Sequence, residues 1–76
     1  MKCYGYSKTD DEELLELREI TILADSKDLH HLASFLVDCA VQIDSNPDWE
    51  HEHLSDYIST HNISLSSDII VFKPSK

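Results

Sequence analysis

The sequence predicts a small α+β domain, a four-stranded and mostly antiparallel sheet packed on one main α-helix, in the order β-β-α-β-β. Three observations predict it. Residues 26–44 carry apolar side chains at helical spacing. The stretches 2–6 and 14–24 alternate at strand spacing on either side of a polar turn. Residues 68–73 form an unbroken apolar run closed by Pro74. Seventy-six residues make a single domain, 1–76, and a chain this short buries only about 60% of its unfolded surface. It has room for one core and none for a cleft between domains.

Residues 2–6, KCYGY, suit a short strand, with Gly5 as a bulge or a point of close approach. The polar turn SKTDDEE follows at 7–13. A second strand is expected from about Leu14 to Ala24, and the two strands pair as a hairpin. Its alternation changes phase at Arg18-Glu19: Leu15 and Leu17 share one face, while Ile20, Ile22 and Ala24 share the other. A β-bulge there restores the pattern. A helix through Leu14–Leu17 is the competing assignment, because Glu and Leu also favour helix.

The helix over 26–44 has Asp25 or Ser26 to accept the orphan amide hydrogens of its first turn, and Asp28 places a favourable charge near its start. Leu29, Leu32, Ala33, Leu36, Val37, Ala40 and Ile43 form one apolar stripe, and Lys27, His31, Ser34, Asp38 and Gln42 line the opposite face. Phe35 lies about 120° from the stripe centre and either laps the sheet edge or faces a partner. Ser45-Asn46-Pro47 stops the helix, since proline disfavours helix in the residue before it.

Residues 49–57, WEHEHLSDY, hold the densest chemistry and read two ways. As a strand, Trp49, His51, His53, Ser55 and Tyr57 face one way, and Glu50, Glu52, Leu54, Asp56 and Ile58 the other. As a helix, Asn46 is the cap, Pro47 lies in the first turn, and Leu54, Tyr57 and Ile58 form the buried stripe. Residues 59–67 read as a loop. The strand at 68–73 suits an interior position with both faces covered. One helix covers one face of the sheet; the other face must be polar or be covered by a second copy of the chain, so a homodimer is among the expected partners.

Fifteen acids against six Lys or Arg give a formal net charge of −9. Phosphate backbones repel such a surface, which disfavours nucleic acid. A basic protein partner is favoured, because long-range attraction speeds its association; the plainer role of the acidity is solubility alone. Cys3 and Cys39 form no Cys-x-x-Cys motif and read as half-buried thiols of a reducing compartment. The N-terminus lacks the apolar run of a signal peptide, and no segment is long enough to span a membrane, so a soluble, cytoplasmic protein is expected.

His51 and His53 point the same way on a strand and suit one shared ion, but zinc takes three or four protein ligands and no such spacing is present. A small metal-binding or regulatory domain using this pair is therefore an alternative reading, and no cofactor is expected. The chain has no nucleophile elbow and no Gly-rich phosphate loop, and its single Gly and small size make it a poor enzyme candidate. Recognition fits better. Ten of the fifteen acids lie in 10–19 and 48–56, and Trp49 and Tyr57 sit within the second group. Aromatics with charged neighbours suit a protein interface. The candidate partner-binding residues are Trp49, Glu50, His51, Glu52, His53, Asp56 and Tyr57. For Trp49 in so small a chain, packing inward as core is the competing fate.

Two stretches together, LREITILADSKDLHHLASFLVDCA and HEHLSDY followed by SDIIVF, resemble the immunity protein 32 family of bacterial polymorphic toxin systems. The resemblance covers about residues 17–72 and centres on His51, His53, Leu54, Asp56 and Tyr57. It implies an α+β domain without catalysis of its own that binds and neutralises a cognate toxin domain, often a nuclease. It also implies a strand at 49–56. The N-terminal KCYGYSKTDDEE lies outside it.

Overall fold

The computed structural model describes residues 1–9, 13–58 and 67–74. It is a small α+β fold in which two separate two-stranded antiparallel sheets accompany one main helix. The elements are β1 (Cys3–Gly5), β2 (Leu15–Leu17), α1 (Ser26–Ser45), β3 (His51–His53), α2 (Leu54–Ile58) and β4 (Ile70–Phe72). Residues 10–12 of the expected turn and 59–66 of the expected loop lie outside the described residues.

β1 pairs with β2 as the sequence suggests, with Tyr4 opposite Glu16 and Gly5 opposite Leu15. Gly5 is a point of close approach: a Cβ there would come within 3.1 Å of the Leu17 side chain. The second strand is much shorter than 14–24. At Arg18, where a bulge was expected, the chain bends and leaves the sheet, and residues 19–25 run outside both sheets. The phase slip thus ends the strand rather than being absorbed within it. This also corrects the single four-stranded sheet, because the strands pair two by two and among the described residues no segment bridges the pairs.

Local rules place α1 well. Asp25 is its cap, its carboxylate accepting from the Asp28 amide at 2.9 Å. At the other end Asn46 has the extended backbone that a following proline favours. Its carboxamide oxygen accepts from the Asp48 amide at 3.1 Å, and its carbonyl accepts from the Trp49 amide at 3.1 Å. This tight turn reverses the chain so that 49–58 returns along α1.

The buried face of α1 is not the expected stripe. Phe35 and Cys39 are its buried residues, and they form the core with Leu54 and Ile58 of α2. Leu32, Trp49, Tyr57, Ile69 and Val71 pack around these four. On a helical wheel, the contact face is turned by about 100° from the centre of the apolar stripe. Leu29, Leu36 and Val37, which define that stripe, are exposed. The physical reason is size. The returning segment brings large side chains to one flank of α1, and a fully buried Phe35 contributes about 1.5–3 kcal/mol of transfer free energy.

The two readings of 49–57 are each half right. HEH is strand β3 and LSDYI is helix α2. β3 pairs antiparallel with β4, with His51 opposite Phe72 and Glu52 opposite Val71. The ladder continues at both ends: the Leu54 amide donates to Ile69 O at 2.7 Å, and the Lys73 amide to Glu50 O at 2.9 Å. β4 is not covered on both faces. Val71 turns toward the core, while Ile70 and Phe72 are exposed.

Candidate functional site

A cleft of about 220 Å³ opens between α1 and the segment from Trp49 to Tyr57. Its walls are Phe35, Asp38, Cys39 and Gln42 from α1, and Trp49, Glu52 and Tyr57 from the returning chain. The helical repeat sets the first wall: Phe35, Asp38, Cys39 and Gln42 fall at the i, i+3, i+4, i+7 spacing of one face. The strand repeat sets the second. Glu52 shares the side of the small sheet that carries Val71, so its carboxylate is directed toward α1 rather than away from the fold.

The cleft combines apolar walls with acidic groups. The Tyr57 ring tilts against Phe35 with centroids 5.4 Å apart, and its hydroxyl is hydrogen-bonded to Asp38. The Tyr57 phenol is held above its ordinary range, first by burial and then by the negative charge of Asp38. Burial likewise raises the Cys39 thiol, and the charges of Glu52 and Asp38 raise it further. Two groups on different elements therefore report the same negative field. A raised thiol is protonated and inert near neutrality, which argues against Cys39 as a nucleophile. Among the described residues no Lys, Arg or His lines the cleft.

The histidines occupy the other face of β3. The His51 ring stacks on Phe72 at 4.5 Å and meets His53 edge-on at 5.6 Å. His53 Nδ1 donates to Asp68 Oδ2 at 2.7 Å. The other oxygen of Asp68 accepts from the Ser55 and Ile69 amides, each at 2.9 Å. Asp68 thus fastens the start of α2 to the start of β4. His53 is raised above its ordinary range, chiefly by the hydrogen bond to Asp68. Burial pushes the Asp68 carboxyl up, but the hydrogen bonds from His53, Ser55 and Ile69 outweigh it and hold the group below its usual value.

The seven candidate residues therefore do not form one surface. Trp49, Glu52 and Tyr57 line the cleft. His51 and His53 lie behind it. Glu50 and Asp56 are exposed and outside its lining. Trp49 and Tyr57 pack against the core and also wall the cleft. Among the described residues no three His, Cys, Asp or Glu gather to hold a metal ion, and His61 lies outside them. Cys3 and Cys39 are both free thiols. No described helix is long and apolar enough to cross a membrane.

Asp38 and Gln42 were missed because they sit on the polar side of the helical wheel, where a solvated face is the ordinary outcome. The position of Phe35, off the stripe but four residues from Cys39, was the available sign that α1 has a second contact face. Asp68 was missed because its partners lie 13 and 15 residues away in sequence. No family model matches this chain, and no curated protein or solved structure matches it significantly.

Proposed function

We propose that this chain is a non-enzymatic binding protein that receives a basic side chain of a protein partner in the acidic cleft, in the manner of an immunity protein that neutralises a toxin domain. One observation carries the reading: Asp38 and Glu52 line one opening walled by Trp49 and Tyr57, with no basic residue among the described residues that line it. Carboxylates beside aromatic faces suit an arginine or lysine, which gains ion pairing and cation–π attraction together. The net charge of −9 extends the same preference over the molecule and favours rapid encounter with a basic surface. A toxin acting on nucleic acid has such a surface, and an acidic partner covers it.

Trp49 is the single Trp of the chain and lines the cleft, so it reports occupancy. An arginine-rich peptide should change its fluorescence at low salt, and the change should weaken as salt screens the charges. Asp38→Asn with Glu52→Gln should weaken the peptide's binding about tenfold or more, with unchanged circular dichroism. An acidic peptide producing the same response, or a double variant binding as well as the parent, refutes the cleft as the site. For the toxin role itself, a basic protein captured at low salt should arrest growth when expressed alone and fail to do so beside this chain.

A further inference from the structure

We infer that His51 and His53 form a second site, on the side of β3 away from the cleft: a two-histidine seat for one divalent ion that prefers imidazole and tetrahedral geometry, as Zn²⁺ does. Strand geometry makes the pair. The two residues are two apart on β3, so their side chains leave the same side of the sheet. Glu52, between them, goes to the cleft side. The rings meet edge-on with centroids 5.6 Å apart. An ion about 2.1 Å from one nitrogen of each ring lies about 3.2 Å from each centroid, so it can join rings whose centroids are up to about 6.4 Å apart. At 5.6 Å the two bonds open to about 120° at the ion. A closure of about 0.4 Å brings them to the tetrahedral angle, whereas a right angle needs about 1.1 Å.

Each ring is already held. His53 Nδ1 donates to Asp68 Oδ2 at 2.7 Å, and the Ser55 and Ile69 amides fix that carboxylate at 2.9 Å. A neutral imidazole with its proton on Nδ1 carries its lone pair on Nε2, which is the nitrogen left for an ion. Asp68 and His53 thus reproduce the pairing in which a carboxylate orients a metal-binding histidine and makes it more basic. The His51 ring lies nearly parallel to Phe72 at 4.5 Å, which covers a face of the ring and not the edge that bears its nitrogens. His51 is exposed and the His53 side chain is 38% exposed, so an ion reaches both from solvent. His30 and His31 offer no such pair: as neighbours on α1 they point about 100° apart.

Among the described residues the protein supplies two ligands and no third, so water completes the shell. Half the ligand set of a structural zinc site should give a Kd of roughly 10–100 µM.

Zinc chloride titrated into the purified chain near neutral pH tests this. Calorimetry should show binding in that range, and zinc should raise the melting temperature until a chelator reverses the rise. His51→Gln and His53→Gln should each weaken binding about tenfold or more, measured well below the melting temperature of each variant. Asp68→Asn should weaken it about tenfold by removing the orienting carboxylate. In nitrogen NMR of the rings, zinc should shift His53 Nε2 rather than Nδ1. His30→Gln with His31→Gln should leave binding unchanged. Magnesium controls for the net charge of −9, since it takes oxygen ligands, and it should leave the melting temperature where it was. An equal response to magnesium overturns the site, because the acidic surface would then be the cause. So does a His51→Gln variant that binds zinc as the parent does, or a parent whose melting temperature is unmoved at about 1 mM zinc. Neither histidine lines the cleft, so no outcome here bears on the cleft reading.

Discussion

Replacing Asp68 tests the junction at which a strand becomes a helix. Its carboxylate accepts three hydrogen bonds, from His53 Nδ1 at 2.7 Å and from the Ser55 and Ile69 amides at 2.9 Å. Toward α2 it acts as a remote cap, supplying an acceptor to an amide of the first turn. Loss of a capping side chain costs about 0.5–2 kcal/mol. The site is about one-third exposed, so water replaces part of what Asp68→Ala removes, and we expect a loss of about 1.5 kcal/mol. For a domain of this size that lowers the melting temperature by about 6–12 °C. Asp68→Asn separates the contributions. It keeps an oxygen for the two amides and puts an amide nitrogen opposite His53, removing the charge and the acceptor there. Because the folded pKa of His53 lies above its ordinary value, the stabilisation from that ring is present at pH values below its unfolded pKa and is lost as pH rises through the folded pKa. The depressed Asp68 carboxyl stays ionised across this window and withdraws its contribution only at acid pH. The parent should therefore exceed Asp68→Asn by more at about pH 5.5 than at about pH 8.5 in thermal melts followed by circular dichroism. An equal difference at the two pH values, or an Asp68→Ala variant as stable as the parent, refutes this account of the junction.

Phe35→Ala removes the one fully buried large side chain among the described residues and should cost about 3–5 kcal/mol, enough to unfold much of a domain this small; urea titration measures it, and a loss below about 1 kcal/mol would show that the core lies elsewhere. The two thiols should differ in reactivity. Cys3, at the edge of the partly exposed hairpin, should label rapidly with a disulfide reagent, and Cys39 should label only on unfolding, because burial both shields it and keeps it protonated; equal labelling rates in native protein would contradict the buried position of Cys39.

Much of the secondary structure was legible because its causes are local. Asp25 caps α1 through an amide three residues away, and Asn46-Pro47 ends it through the proline's effect on its neighbour. The sheet was less legible. The phase slip at Arg18 was visible, but a bulge and a strand end are written alike in one sequence. The duality of WEHEHLSDY was visible as well. Its resolution into β3 followed by α2 depends on β4 pairing with the first half and on Asp68 capping the second. A strand over the whole of 49–56, which the resemblance implied, is not what forms: the strand covers His51–His53 and Leu54 opens α2.

The candidate site divides along the same line. Composition alone determined the acidity of the chain, and the residue types near Trp49 were enough to mark that stretch. Only the tertiary structure decided that Glu52 and Tyr57 face Asp38 and Gln42 while His51 and His53 face away. An α-helix with apolar residues around two-thirds of its circumference has more than one face it can bury, and its own periodicity cannot choose among them. The choice fell to the segment that the Asn46-Pro47 turn sends back along α1, which seats its aromatic and aliphatic side chains on Phe35 and Cys39. The sequence by itself therefore determined the helix, its ends and the charge. The packing of distant residues decided which face of the helix is core, which lines the cleft and which is left exposed.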